Sequence, residues 1–254
     1  MAKLIFLGTA SAVAFEGHEN TYLVIQGDES SLLVDCASNP ILRLKQAGIH
    51  FEDVTDLVIT HFHADHVSGL PNLLMDMWIL GRKKPFRIYG TDHSISRAEK
   101  LMSLFDWEEW KDMYPVSFHT LPAEERTLVL ENQEFRIHSS PGDHIILTIG
   151  LRIESISNEF TVVYSCDTNP HPAIMRLASD ADILIHESTG PYEGHSTPAQ
   201  AGEIASQAGA GKLYLVHYSI YGDKTASSIV EDAKKTFPGE VILAEDFMEI
   251  DFLK

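Results

Sequence analysis

The chain has 254 residues, 44% of them hydrophobic and 22% charged, a balance that supports a folded core and excludes a disordered or low-complexity chain. Nineteen Lys and Arg against 37 Asp and Glu leave a net charge of −18 with His neutral. That field repels phosphate backbones and anionic lipid, so extended nucleic-acid binding and membrane binding are disfavoured, while one local site could still take a single anionic group.

The apolar run Leu4–Leu7 is too short for a secretion signal and reads as a strand. No apolar run reaches the roughly 18 residues of a membrane span. Tyr22–Gln26 and Ser31–Asp35 follow as strands joined by the polar turn Gly27-Asp28-Glu29-Ser30. Ser38-Asn39-Pro40 starts a helix that Gly48 closes. A strand is expected over Asp56–Thr60, a helix over Pro71–Leu80 and a strand over Phe86–Tyr89. Gly81-Arg82-Lys83-Lys84-Pro85 reads as a cationic helix end with a proline stop. Helical character runs from about Ser94 to Met113, where Phe105, Trp107 and Trp110 suggest packing, a pocket wall or a dimer face.

Beyond about residue 115 the chain is strand-rich again, at Val116–Leu121, Thr127–Leu130, Glu134–Ser139, Ile146–Ile153 and Phe160–Ser165. Helices near 172–179, 198–208 and 225–236 then alternate with strands Ile183–His186 and Leu213–Val216. The expectation is a mixed α/β fold, one domain over 1–254 with halves of about 1–118 and 119–254, two β-rich layers being covered by helices. The cysteines, Cys36 and Cys166, have no paired spacing; with no secretion signal they suggest free thiols and a cytoplasmic location.

Thirteen histidines are the compositional oddity. His61-Phe62-His63-Ala64-Asp65-His66 places three imidazoles and a carboxylate at the end of the apolar run Leu57-Val58-Ile59. Imidazole with carboxylate suits borderline divalent metals, zinc foremost. At an extended strand end His61 and His63 point the same way and can share one ion, and Asp65 and His66 can reach a second beside it.

This His-x-His-x-Asp-His segment resembles the signature of the metallo-β-lactamase fold superfamily. His144 in Ser140-Pro141-Gly142-Asp143-His144, Asp167 in Ser165-Cys166-Asp167-Thr168 and His217 after Leu213–Val216 match its later motifs in order. The resemblance implies a four-layer αβ/βα sandwich of two similar halves. It implies His61, His63 and His144 on one metal, Asp65, His66 and His217 on the other, and Asp167 between them. Asp35 matches the superfamily's early Asp, which orients a ligand imidazole. The ions are expected to be Zn²⁺, with Mn²⁺ or Fe also suited to an all-N/O site.

Ile185-His186-Glu187-Ser188-Thr189 and Glu193-Gly194-His195-Ser196-Thr197-Pro198 resemble the ribonuclease Z-like phosphodiesterase branch. Carried over, His195 is the proton donor or phosphate clamp, Glu187 its orienting carboxylate, and Asp65 takes or steers the proton of a metal-bridging hydroxide. Homodimers are common in that branch. Its tRNA-processing members carry a long arm between the third motif's His and the bridging Asp. Here His144 and Asp167 are 23 positions apart (167 − 144), so precursor-tRNA cleavage is not favoured. The expectation is a phosphodiesterase for small or short substrates, with a lactonase, thioesterase or arylsulfatase-type hydrolase as the alternative and a non-catalytic metal-binding protein less favoured. His18, His50, His93, His119, His138, His171 and His186 receive no role.

Overall fold

The computed structural model describes residues 2–221 and 225–253. The chain opens with β1 (Lys3–Gly8), β2 (Tyr22–Gln26), β3 (Ser31–Val34), α1 (Pro40–Gln46) and β4 (Val54–Ile59). Next come α2 (Ala64–Val67), α3 (Leu70–Ile79), β5 (Phe86–Thr91), α4 (Asp92–Ser103), a 3₁₀ turn (Trp107–Glu109) and β6 (Val116–Leu121). The second run is β7 (Thr127–Glu131), β8 (Phe135–Pro141), β9 (Ile149–Ser155), β10 (Thr161–Tyr164), α5 (Pro172–Leu177) and β11 (Ile183–Glu187). It continues through α6 (Pro198–Ala208), β12 (Lys212–Val216), α7 (Ala226–Lys234) and β13 (Glu240–Leu243). Finally β14 (Glu249–Asp251) returns to the first sheet and pairs antiparallel with β1, Leu4 opposite Ile250.

The strands form two seven-stranded sheets, β14-β1-β2-β3-β4-β5-β6 and β13-β12-β11-β10-β9-β8-β7. In each, strands of one edge are antiparallel and the run β3 to β6, or β10 to β13, is parallel. Strand periodicity puts alternate residues on opposite faces. Leu4 and Phe6 therefore share a core between the sheets with Leu151, Ile153 and Val162. Ile5 and Leu7 point the other way, into a second core with Leu44 of α1, Leu73, Leu74 and Met77 of α3, and Ala98 and Met102 of α4. A third core packs Val163, Leu184 and Leu215 against Ile174 of α5, Ala201 and Ala205 of α6, and Ile229 of α7. The result is helix, sheet, sheet, helix, the four-layer α/β sandwich, and strands buried on both faces explain the near-continuous apolar runs.

Local signals act as the sequence suggests at α1 and α6. Asn39 caps α1, its side chain accepting from Leu42 N, and Thr197 forms a capping box with Gln200 at the start of α6. The expected helix from Ser94 to Met113 instead stops at Ser103. Asp106 and Asp112 sit at positive φ (49° and 58°), which no helix interior allows. Trp110 stacks on Trp78 with ring centroids 5.1 Å apart, and Trp107 meets Phe118 edge-on, so both are packing residues, while Leu104 and Phe105 stay exposed. Strands β13 and β14 lack a sequence signal because they are three- or four-residue edge pieces held by their neighbours. Among the described residues no helix is long and apolar enough to cross a membrane.

Arg82 departs from the expected cationic helix end, being buried rather than solvated. Its guanidinium donates to the carbonyls of Lys84, Phe51 and Pro85 at 2.8–3.0 Å. Arg82→Ala leaves three inward carbonyls without that donor and is expected to cost about 2–4 kcal/mol of stability. Arg82→Lys should recover only part, because one ammonium cannot reproduce the planar fork. Guanidinium unfolding midpoints of the two variants check this.

Candidate metal centre

Both sheets turn the carboxyl ends of their parallel strands to the same rim, where an open α/β sheet gathers its ligands. Asp35 follows β3, His61 and His63 follow β4, and Asp65 and His66 lie in the one-turn α2. The other sheet supplies His144 after β8, Asp167 after β10, Glu187 at the end of β11 and His217 after β12. Asp35, Cys166 and His217 all sit at positive φ, between 51° and 64°. Such conformations are uncommon for residues with a side chain, and here they turn the chain sharply at three strand ends.

The structure brings every sequence-predicted site residue to this rim. The donor atoms of His61, His63 and His144 form one compact group, and those of Asp65, His66, Asp167 and His217 form another. His63 Nδ1 lies 3.1 Å from His61 Nε2 and 3.0 Å from His144 Nε2. A single ring nitrogen has one lone pair or one proton in the ring plane, so it cannot satisfy both neighbours. Nitrogens about 2.0–2.1 Å from a shared zinc would be separated by roughly 2.9–3.4 Å, as these are. Asp167 Oδ2 stands between the groups, 3.8 Å from His61 Nε2, 4.0 Å from His144 Nε2, 3.5 Å from His66 Nε2 and 3.4 Å from His217 Nε2. Asp65 Oδ2 lies 3.3 Å from His217 Nε2 and 3.6 Å from His66 Nε2.

Outward hydrogen bonds fix the imidazoles. His66 Nδ1 donates to Asp35 Oδ2 at 2.8 Å and His144 Nδ1 to the Gly194 carbonyl at 2.7 Å. The Thr189 hydroxyl donates to the His217 carbonyl, so it accepts from His217 Nδ1, both at 2.8 Å. In each case Nε2 is left facing the site. His66 Nε2 and Asp167 Oδ1 are buried with no hydrogen-bond partner among the described residues, a cost that proteins rarely bear without a ligand. Burial lowers the pKa of His61, His63 and His144, which keeps them neutral. His66 differs: burial opposes its charge, but Asp167 and Asp35 outweigh that and raise its pKa, an environment in which a cation at Nε2 would take the place of a proton. Burial opposes charge on Asp65 too, yet the His217 hydrogen bond and His66 hold its pKa below the usual range. Asp167 is likewise disfavoured by burial but pulled well down by His217 and His66. Imidazole nitrogens and ionised carboxylates with orphaned atoms fit divalent metal ions.

His195 stands beside this donor set, its ring stacked on His217 (centroids 5.6 Å, 14° between planes) and edge-on to His144. Its Nδ1 lies 3.0 Å from Glu187 Oε1. Glu187 is fully buried and also accepts from the backbone N–H groups of Thr168, Thr189 and Ser196. Burial lowers the pKa of His195, but the Glu187 hydrogen bond and charge outweigh it, and the net shift is upward.

Sequence reasoning missed the supports. Gly194 lies 50 positions from His144, and only contact reveals the pair. The Thr9 carbonyl accepts from His217 N at 2.9 Å. Thr9 in turn donates through its hydroxyl to Asp246 at 2.7 Å, and Asp246 pairs with Arg43. Of the unassigned histidines, His18 joins this support through Thr9, and His186 is buried against the Glu187 carbonyl.

Fold and donor set together define a metal-dependent hydrolase of the metallo-β-lactamase fold. The family model described as Anti-Pycsar protein Apyc1 matches residues 2–238. The chain belongs to that family. It is 27% identical to a ribonuclease Z of Methanothermobacter thermautotrophicus, with 99% of this chain and 97% of the relative covered. Among solved structures it resembles the metallo-β-lactamase fold protein YhfI from Bacillus subtilis, with a TM-score of 0.83, 25% identity and 98% of each chain covered. The short form of human tRNase Z shares the fold at a TM-score of 0.80 and 24% identity, covering 99% of this chain and 100% of that one.

At Gly194 φ is +79°, and an added Cβ would lie 2.6 Å from His144 Nδ1. Gly194→Ala is therefore expected to displace the His144 ring and lower divalent-metal affinity by about 10–100-fold. Metal content after dialysis against a weak chelator, measured by elemental analysis, checks this.

Proposed function

We propose that the protein is a dinuclear-metal phosphodiesterase acting on small or short phosphodiesters. The observation that carries this reading is the pairing of His195 with the buried carboxylate of Glu187 beside the metal ligands. Metal ligands alone suffice for an ester or lactone; a braced imidazole adds a proton donor suited to a phosphodiester's leaving oxygen.

Under this reading His61, His63 and His144 hold one ion, Asp65, His66 and His217 the other, and Asp167 serves both. Zn²⁺ is favoured by the donor set, with Mn²⁺ or Fe also suited. When bound, two divalent ions supply hydroxide near neutral pH and neutralise charge on phosphoryl oxygens. Asp65 takes or steers the proton of that hydroxide. His195, its Nδ1 engaged by Glu187, gives a proton from Nε2 to the departing oxygen. Glu187 favours the protonated form of that ring and orients it, its other partners being backbone N–H groups.

Substrate size follows from the chain's own segments and charge. Only β9, β10 and their turns lie between His144 and Asp167, leaving no room for an extended arm. The alignment with the archaeal ribonuclease Z spans 307 positions, 53 more than the 254 residues of this chain (307 − 254). That relative therefore carries segments with no counterpart here, and the net charge of −18 weakens any grip on a folded RNA. Both cysteines are free and buried, which supports the expected reducing cytoplasm. The exposed Leu104 and Phe105 support a homodimer face on the α4 side.

Purified protein is expected to hydrolyse bis(p-nitrophenyl) phosphate, to lose this activity on chelation and to regain it with Zn²⁺ or Mn²⁺. A lactone, a thioester, an aryl sulfate and precursor tRNA on the same plate give the competing outcomes; preference for one of them with no diester turnover would reject the proposal. His195→Ala should lower kcat on a dinucleotide by about 10²–10⁴-fold at unchanged metal content. Its effect on bis(p-nitrophenyl) phosphate should be smaller, since nitrophenolate leaves without a proton.

The pH profile tests Glu187 separately. A proton donor with a raised pKa is active below that pKa and is lost as pH rises through it. Glu187→Gln removes the charge that raises it, so the alkaline limb of kcat for the dinucleotide should move to lower pH. An unmoved limb would exclude His195 as the titrating acid.

A further inference from the structure

Thr60 is fully buried between β4 and His61, and the proposed hydrolysis makes no use of it. Its backbone N–H donates to Asp35 Oδ1 at 2.8 Å and its hydroxyl to Asp35 Oδ2 at 2.7 Å. The same Oδ2 accepts from His66 Nδ1 at 2.8 Å. On the opposite side the Thr60 oxygen lies 3.2 Å from His61 Nδ1 and 2.9 Å from Cys166 Sγ. His61 directs Nε2 at His63 and Asp167, so Nδ1 is the protonated nitrogen and requires an acceptor. The hydroxyl's capacity is then filled: its proton goes to Asp35, and its two lone pairs face the His61 N–H and the Cys166 thiol.

We propose that the Thr60 hydroxyl is the positioning group that joins the two metal positions into one unit. His66 of one position bonds Asp35 directly, and His61 of the other reaches the same carboxylate through Thr60. A ring set by the first ion therefore biases the ring that receives the second, and the two equivalents load together. Cys166 is the alternative acceptor for His61, its sulfur 3.4 Å from Nδ1, but sulfur is a weak acceptor and cannot replace the hydroxyl. The inference rests on the assignment of His61 and His66 as ligands of different ions.

The test is zinc binding by the full chain, measured by competition with a chromophoric chelator, with Co²⁺ absorption reporting the ligand geometry. In the wild type two equivalents should bind in one step. Thr60→Val preserves shape but removes the hydroxyl; affinity at the His61, His63 and His144 position should fall about 10–100-fold, splitting the titration into two steps. Thr60→Ser should restore the single step, and Cys166→Ala should leave it in place. Thr60→Val binding both equivalents as the wild type does, or Thr60→Ser as weak as Thr60→Val, would overturn the coupling. If Thr60→Val fails to fold, the zinc-loaded wild type still decides: nitrogen-15 spectra should contain slowly exchanging Nδ1–H signals from both His61 and His66, and a missing His61 signal rejects the proposal. A wild type that binds no zinc overturns the ligand assignment itself, an outcome distinct from two equivalents bound without coupling.

Discussion

Everything at the rim depends on one buried carboxylate oxygen, Asp167 Oδ2, on which the nitrogens of both histidine groups converge. Burying a carboxylate among imidazoles is unfavourable unless charges and hydrogen bonds compensate it. Among the described residues Asp167 Oδ1 has no hydrogen-bond partner, and His66 Nε2 has none either. The fold holds these atoms in place without satisfying them, and positive ions are the partners their arrangement suits. The strained turns at Asp35, Cys166 and His217 belong to the same constraint: each bends the backbone abruptly at a strand end that feeds the rim.

The sandwich makes that arrangement rigid. Leu4, Phe6, Val34 and Val58 from one sheet share a core with Ile153, Val162 and Ile185 from the other, so the strand ends cannot separate without opening the interior. Residues remote in sequence then lock the rim itself. Arg43, from α1, donates to the Leu7 carbonyl and pairs with Asp246; Asp246 also holds Thr9, whose carbonyl anchors His217. The Glu187 carboxylate plays the equivalent part on the other side, tying the strand end of β11 to the loop that carries His195. That loop also supplies the Gly194 carbonyl to His144. One segment thus holds both His195 and His144 in place.

The parts of this design legible in sequence are those encoded by short spacing or strong periodicity. His61, His63, Asp65 and His66 lie within six positions, and the apolar strand before them marks where their side chains emerge. Asp167 and His217 are readable because each follows a buried strand in motif order. The supports are not, because they join residues 50 positions apart, as Gly194 and His144 are, or 203 apart, as Arg43 and Asp246 are. Arg82 shows the same limit from another side: the basic run reads as a cationic helix end, and only the three carbonyls gathered around Arg82 reveal that this member is buried. The helix expected to reach Met113 fails through local backbone choice, two aspartates at positive φ, which composition does not display.

The charge of the chain and the chemistry proposed for it are compatible only because the site differs from the surface. Four carboxylates, Asp35, Asp65, Asp167 and Glu187, are gathered at the rim; two divalent ions would match them, leaving −14 of the −18 elsewhere. Under the proposed reading a single phosphodiester would meet a locally balanced site with His195 beside it, and screening limits repulsion from the rest to about 8–10 Å at physiological ionic strength. A long polyanion would extend beyond that zone. The gain from counterion release that drives nucleic-acid binding needs cations, and the chain holds 19 Lys and Arg against 37 Asp and Glu. On the proposed reading, the net charge favours a short diester over a long one.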